Sequence, residues 1–214
     1  MSAPVILFAA RAERWQQYET PLRMALQEAG LGDATLTTQA APEQVDYIVY
    51  APNSGLSDFT PFERLKAVLN LWAGVEDVTG NPTLKVPLAR MVDRGLTEGM
   101  VEWVTGHVLR HHLGMDAHIR GQDGVWRNDD VPPLARDRTV AVLGLGELGG
   151  ACARTLAALN FRVLGWARSE KMIEGVETAH GVEGLEAVLR RAEIVVLLLP
   201  DTPETSDTLD ARRL

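Results

Sequence analysis

One segment constrains the fold of this chain more than any other: residues 139–156, where a β-branched apolar run leads into glycines and then into a helix-forming stretch. Gly144, Gly146 and Gly149 follow the spacing Gly-x-Gly-x-x-Gly. This spacing permits a sharp exit from a strand, close approach of the backbone to a pyrophosphate, and tight packing of the helix on the strand. The helix start binds phosphates without a basic side chain, because its N–H groups are unpaired and its dipole end is positive. The segment therefore predicts a dinucleotide-binding turn rather than a plain turn.

A second predicted strand, at residues 161–166, ends where an NAD-binding unit usually has an acidic residue for the ribose hydroxyls. Here the chain has Arg168 and Ser169, followed by Lys171. An acidic residue repels a 2′-phosphate, whereas the Arg168 guanidinium can bind it with paired, charge-assisted hydrogen bonds. The sequence favours NADP (as NADPH), with NAD as the second choice. The alternative is that Arg168 and Lys171 are ordinary solvated turn residues.

Composition excludes several classes of partner and location. The formal net charge of −8 and the lack of a dense Lys/Arg run argue against nucleic acid or an anionic membrane as the main partner. The single cysteine, Cys152, cannot form an internal disulfide and is typical of a reducing compartment. The apolar run at residues 5–10 is too short for a membrane span or a secretory signal. We therefore expect a cytoplasmic protein in which Cys152 packs under a helix.

Strand and helix patterns alternate and predict an α/β protein with two Rossmann-like or flavodoxin-like lobes, the second a doubly wound parallel dinucleotide-binding sheet. We expect strands at residues 5–10, 47–50, 86–91, 161–166, near 176 and at 194–199. We expect helices at residues 13–29 (interrupted by Pro21), 62–68, 96–113 and 182–191, with a further helix start after residue 205. The apolar face of the 96–113 helix comprises Met100, Trp103, Val104, Val108 and His111, and Trp126 packs the connection at 121–137.

Three segments resemble the D-isomer-specific 2-hydroxyacid dehydrogenases, and within them the glyoxylate/hydroxypyruvate reductase branch. They are LNLWAGVEDV at residues 69–78, VLGLGELGG at 142–150 and VVLLLPDTPET at 195–205. The resemblance implies that backbone N–H groups at Ala73, Gly74 and Val75 bind the substrate carboxylate. Trp72 replaces the family's usual glycine and narrows the pocket, and Glu76 replaces an aspartate. Without the resemblance, this stretch is merely a strand end with a glycine turn.

The same resemblance implies further binding residues and a domain organisation. Glu147 and Leu148 belong to the pyrophosphate turn, Leu199 and Pro200 border the cofactor ribose, Thr205 lies near the hinge, Met100 lies near the nicotinamide, and Ala51 begins the loop that covers the substrate. Residues 1–95 form the substrate-binding lobe, 96–137 the linking helix and arm, and 138–214 the first half of the NAD(P)-binding domain. The linking helix and the Trp126 arm are expected to form a homodimer interface.

The chemistry implied is hydride transfer between NADPH and a small 2-keto acid such as glyoxylate or hydroxypyruvate. In the family, the catalytic arginine, glutamate and histidine lie beyond the PDTPET segment, and none of these motifs occurs here. We expect no catalytic residue in this chain, a C-terminally incomplete sheet whose apolar edge favours association, and no activity of these 214 residues alone. Glu98 and Glu102 lack a third ligand, so no metal site is predicted.

The sequence is also compatible with two other functions. A non-enzymatic NAD(P)-binding regulatory module needs the dinucleotide turn but none of the catalytic motifs. An unrelated dinucleotide enzyme would share only the glycine turn, and the resemblance at residues 69–78 makes it the weaker alternative.

Overall fold

The computed structural model describes residues 3–126 and 131–213. The chain divides into two compact units, Met1–Val92 and Asp93–Leu214. Part of the predicted connection at residues 121–137, residues 127–130, lies outside the described residues.

The first unit is built on a parallel sheet of five strands in the order β2-β1-β3-β4-β5. Its elements in chain order are β1 (Val5–Ala9), α1 (Trp15–Glu28), β2 (Thr35–Thr37), β3 (Tyr47–Tyr50), β4 (Ala67–Asn70), α2 (Glu76–Thr79) and β5 (Leu88–Ala89). Apolar side chains are buried on both faces, with Ile48 and Val68 in one cluster and Phe8 and Val49 in the other. This is the flavodoxin-like strand order, so the predicted fold class is confirmed for this unit.

A buried carboxylate ties the amino ends of these strands together. Asp46 is 1% exposed, and its Oδ2 accepts a hydrogen bond of 3.0 Å from the Val5 N–H. Its Oδ1 forms ion pairs with Arg64 and Lys66, each at 3.1 Å. The hydrogen bond from Val5, followed by those from Lys66 and Arg64, lowers the pKa of Asp46 despite its burial. One side chain therefore joins β1, β3 and the entry to β4.

The second unit contains a parallel sheet of four strands in the order β8-β7-β6-β9. Its elements are α3 (Arg94–His112), α4 (Met115–Arg120), β6 (Thr139–Leu143), α5 (Glu147–Ala158), β7 (Arg162–Ala167), β8 (Glu177–His180), α6 (Gly181–Leu189) and β9 (Ile194–Leu197). Residues of α3 and α5, such as Val104 and Leu156, cover one face of the sheet, and Leu185 of α6 covers the other. The sheet is doubly wound, and its strand order reverses beside β6.

Several predicted elements of the first unit are wrong in detail. Residues 62–68 are all described and do not form the predicted helix. Phe62 closes a turn, and the Lys66 N–H donates to the Asp46 carbonyl oxygen just before β4 begins. The helix α1 continues through Pro21. Pro21 lies on its exposed face, where water can bond the carbonyl that a proline leaves unpaired. The short strand β2 was not predicted.

In the second unit, the buried residues of α3 are Val104, Val108 and His112. The prediction was wrong for Trp103, which is 67% exposed, and for His111, which is also exposed. The i, i+4 spacing of the buried residues selects His112, whose ring lies edge-on to Phe161 with centroids 5.0 Å apart. Trp126 is 85% exposed and does not pack the connection as predicted. Helix α4 was not predicted, and residues 206–213 form turns rather than a helix start.

Candidate functional site

The glycine turn lies at the carboxyl end of β6, where the strand order reverses. Gly144 has φ +103°, and a Cβ there would lie 2.6 Å from the Leu198 carbonyl oxygen. A Cβ on Gly149 would lie 1.8 Å from the Gly144 carbonyl oxygen, so α5 can pack this close to the turn only with glycine at that position. A Cβ on Gly146, in contrast, would meet nothing within 4 Å. The first and third glycines therefore serve packing, and the second faces open space.

The start of α5 offers hydrogen-bond donors beside that open space. Gly146 is the N-cap residue, and its cap has no side-chain hydrogen bond. The first helical bond is from the Gly150 N–H to the Gly146 oxygen, at 2.8 Å. The N–H groups before Gly150, including those of Glu147 and Leu148, have no acceptor inside the helix. Free donors, a positive dipole end and open space together suit a pyrophosphate.

The turn after β7 presents Arg168 and Ser169, both exposed. The turn is anchored because the Thr178 hydroxyl donates a 2.6 Å hydrogen bond to the Lys171 carbonyl. The positive charge of Arg168 also reaches the loop after β9, where Glu204 has a pKa lowered first by the Thr202 hydroxyl and to a smaller extent by Arg168. Because β7 and β9 are the neighbours of β6, the loops after them flank the glycine turn at the carboxyl edge of the sheet, where a doubly wound fold has its ligand crevice.

The loop after β9 lies against the glycine turn. The Leu198 N–H donates to the Leu143 oxygen at 2.8 Å, and the Leu199 side chain lies 3.1 Å from where a Cβ on Gly144 would be. The Thr205 hydroxyl donates to the Pro200 oxygen and accepts from the Thr202 N–H at 2.9 Å. Leu199 thus borders the crevice, whereas the hydroxyl of Thr205 holds the shape of the loop.

Met100 and Cys152 meet where α3 packs on α5. The Cys152 thiol lies 3.8 Å from the Met100 carbonyl oxygen. Met100 is partly buried against the core, and Cys152 is fully buried. Burial raises the pKa of the Cys152 thiol. The prediction that Cys152 is a packing residue is confirmed.

In the first unit, the turn after β4 contains the predicted carboxylate-binding residues. Within the described part of the chain, the N–H groups of Ala73, Gly74 and Val75 donate no hydrogen bond to a backbone oxygen outside the helices and strands. The Glu76 carboxylate lies beside Gly74, with its Oε2 2.6 Å from where a Cβ on that residue would be. Trp72 is 42% exposed at the start of the turn. Asn70, which is 4% exposed, donates from Nδ2 to the carbonyl oxygens of Trp72 and Gly74, at 3.0 and 2.8 Å. Asn70 was not predicted as a site residue, although a lone amide inside the apolar run LNLW is a visible signal.

The loop after β3 is a neighbour of this turn, because Tyr50 pairs with Asn70 in the parallel register. Ala51 itself is 3% exposed, and its N–H donates to the Ala9 oxygen at 2.8 Å. Ala51 is therefore not accessible to a ligand, and the accessible part of this loop is the short 3-10 turn that follows, Pro52–Ser54.

Other titratable groups do not assemble into a reactive site within the described residues. No three His, Cys, Asp or Glu side chains there lie close enough together to hold a metal ion. Glu98 forms an ion pair of 2.7 Å with Arg94. His112 has a pKa lowered first by burial and then by the charge of Arg138, which suits a core residue. Among the described helices, none is both long and apolar enough to cross a membrane.

A doubly wound parallel sheet with a glycine turn at its reversal point, followed by a helix with free N–H groups, defines a dinucleotide-binding α/β protein. The family model for the D-isomer specific 2-hydroxyacid dehydrogenase NAD binding domain matches residues 105–214. The chain belongs to the D-isomer specific 2-hydroxyacid dehydrogenase family, and the predicted family membership is confirmed.

Three relatives illustrate the match. A glyoxylate/hydroxypyruvate reductase A from Serratia proteamaculans is 36% identical over 155 residues, which are 69% of this chain and 49% of the relative. A D-isomer specific 2-hydroxyacid dehydrogenase from Xanthobacter autotrophicus, solved with NADPH and MES, is 32% identical with TM-score 0.87, covering all of this chain and 68% of that one. An NADPH-dependent glyoxylate/hydroxypyruvate reductase from Sinorhizobium meliloti, solved with NADP and sulfate, is 36% identical with TM-score 0.72, covering 96% and 64%. The chain spans about half the length of the curated relatives it matches.

Proposed function

We propose that this protein transfers a hydride between NADPH and a small 2-keto or 2-hydroxy acid, of the glyoxylate or hydroxypyruvate reductase type. The observation that supports this most directly is the crevice of the second unit, which combines the glycine turn with Arg168 and lacks an acidic residue at the end of β7. The names of the relatives favour the same chemistry.

The residues present fit a nicotinamide dinucleotide phosphate. The open space at Gly146 admits the pyrophosphate, and the N–H groups of Gly146, Glu147 and Leu148 bind it. Arg168, with Ser169 beside it, binds the 2′-phosphate, since a guanidinium forms paired hydrogen bonds with phosphate oxygens. The proposed cofactor contacts also include Leu199, Pro200, Thr205 and Met100. When bound, the nicotinamide supplies the hydride.

In the first unit, the N–H groups of Ala73, Gly74 and Val75 bind the substrate carboxylate, and the loop that begins at Ala51 covers it. The exposed indole of Trp72 limits the size of the acid that the turn accepts. A small 2-keto acid presents one carboxylate and little else, which suits this arrangement.

Proton transfer to the substrate requires a general acid within hydrogen-bond reach of it. Family resemblance assigns the catalytic arginine, glutamate and histidine to segments that have no match in this chain. We propose that these 214 residues bind NADPH and a carboxylate but do not turn over without those groups.

We also propose a cytoplasmic homodimer, with residues 1–95 as the substrate lobe, 96–137 as linking helix and arm, and 138–214 as cofactor lobe. The exposed Trp103 and Trp126 support an interface, and the single buried thiol is compatible with a reducing compartment. Sedimentation velocity over a range of concentrations tests the dimer, and a monomer at every concentration contradicts it.

The cofactor assignment is tested by titrating the 214-residue protein with NADPH and NADH. We expect wild type to prefer NADPH, and Arg168→Ala to lose about tenfold or more in NADPH affinity with little change for NADH. Arg190→Ala is the matched control, because Arg190 is an exposed arginine at the other end of the sheet. Equal losses for both cofactors in Arg168→Ala, or no binding by wild type, would refute the assignment.

A further inference from the structure

The carboxamide of Asn70 is a buried polar group at the end of β4 whose contacts are directed at the turn that follows. Its Nδ2 donates to the Trp72 oxygen at 3.0 Å and to the Gly74 oxygen at 2.8 Å. Rotating the amide by half a turn would place Oδ1 against two carbonyl oxygens, all of them acceptors. The orientation of the amide is therefore determined by these two contacts.

These two hydrogen bonds set the direction of two N–H groups. In a trans peptide unit, the C=O of one residue and the N–H of the next point in opposite directions. The Trp72 carbonyl shares its peptide unit with the Ala73 N–H, and the Gly74 carbonyl shares its unit with the Val75 N–H. Because both carbonyls point toward Asn70, both N–H groups point away from it. A single buried side chain thus aims two backbone donors to the same side of the turn.

We infer that Asn70 is a positioning residue for carboxylate binding: it does not touch the substrate but orients the Ala73 and Val75 N–H groups that do. The inference rests on the proposed function, which assigns the substrate carboxylate to this turn. Asn70 Oδ1 is buried without a hydrogen-bond partner among the described residues. An unpaired buried acceptor is destabilising. What the amide contributes here is therefore its two donors, since an apolar side chain would avoid that penalty.

The two carbonyls depend on Asn70 to different degrees. The Trp72 oxygen also accepts a hydrogen bond from the Met91 N–H, at 3.2 Å. Among the described residues, the Gly74 oxygen accepts only from Asn70. Removing the amide should therefore release the Gly74–Val75 peptide unit first, so that the Val75 N–H loses its orientation more than the Ala73 N–H.

The test is an amide NMR titration of the 214-residue protein with oxalate, a planar two-carbon carboxylate that resembles glyoxylate. Asn70→Leu removes both donors, keeps the branching at Cγ and adds no charge. Asn81→Leu is the matched control, because Asn81 also ties a loop of the same unit through its amide, at 2.7 Å to the Ser57 oxygen. NADPH affinity is measured on the same samples as a readout that a local change at Asn70 should not move.

We expect oxalate to shift the Ala73, Gly74 and Val75 amide signals of wild type. Asn70→Leu should weaken oxalate binding by about tenfold, with the greatest loss of response at Val75. Asn81→Leu and the NADPH affinity should be unchanged. Wild-type binding of oxalate by Asn70→Leu overturns the role of Asn70 and leaves the carboxylate site standing. No response of the three amides in wild type, with NADPH still bound, overturns the carboxylate site itself.

A second variant keeps the inference testable if Asn70→Leu does not fold. Asn70→Ser retains one hydroxyl donor for two carbonyls. Its oxalate affinity should fall between those of wild type and a protein without the site, with Val75 again affected more than Ala73. An affinity equal to wild type would overturn the inference.

Discussion

Replacing Gly149 by alanine is expected to destabilise the second unit because the helix α5 has no room for a methyl group there. The Cβ would lie 1.8 Å from the Gly144 carbonyl oxygen, and even 3.0 Å is closer than real Cβ atoms approach. Relief requires the helix and the turn to separate by more than an ångström, and both partners are backbone. Overpacking of this kind costs about 3 kcal/mol, at the upper end of the usual range. For a protein of this size that corresponds to a fall in melting temperature of roughly 6–12 °C.

Gly146→Ala provides the matched control within the same motif. Its Cβ would meet nothing within 4 Å, and its φ of −76° and ψ of −163° suit alanine. The stability of Gly146→Ala should therefore change by less than about 1 kcal/mol. NADPH affinity should nevertheless fall by about tenfold or more, since the methyl group projects into the space assigned to the pyrophosphate.

Calorimetry gives the melting temperatures, and isothermal titration gives the NADPH affinities. The two variants should separate stability from binding: Gly149→Ala should melt at a lower temperature, whereas Gly146→Ala should melt normally but bind NADPH poorly. A Gly149→Ala variant with the wild-type melting temperature would refute the packing argument. A Gly146→Ala variant with wild-type affinity would refute the assignment of the open space.

Two further predictions concern titratable groups. The hydrogen bond from Val5, with those from Lys66 and Arg64, holds the pKa of Asp46 below its ordinary 3.8 in the folded state. The stabilisation by this carboxylate is therefore present above about pH 4 and is lost as pH falls through the folded-state pKa. The urea midpoint of wild type should fall between pH 7 and pH 3, and that of Asp46→Asn should fall less, although this variant should itself lose about 1–3 kcal/mol at pH 7. Because burial raises the pKa of Cys152, its thiol should react with a disulfide reagent only after denaturation, and rapid reaction of the native protein would contradict its packing role.

The strands and the glycine turn could be predicted from sequence because their signals are local. Buried parallel strands such as β3 and β6 are continuous apolar runs. The order Gly144, Gly146, Gly149 specifies a backbone geometry that few other arrangements need. The flavodoxin-like and doubly wound sheets follow from the alternation of these runs with helices.

The wrong predictions for residues 62–68 and for His111 have a different cause, since each depends on a contact with a distant residue. A helix at residues 62–68 has acceptable local propensity, but the Lys66 N–H bonds to Asp46, twenty residues away. The periodicity of α3 allowed either His111 or His112 to be buried, and the ring of Phe161 selects His112. Asn70 is different, because its acceptors are only two and four residues away. The lone amide in LNLW is a local signal, but its two partners are defined only by the folded turn.

The placement of Asp46 has a consequence for how such a protein can change. Its contacts lie at the amino ends of the strands of the first unit, whereas the turn of Trp72 and Gly74 lies at their carboxyl ends. Mutations meant to retune the proposed acid selectivity would therefore fall on residues that the Asp46 carboxylate does not touch. A library randomised around Trp72 should keep a high fraction of folded members, which makes this lobe a tolerant starting point for selecting new carboxylate specificities.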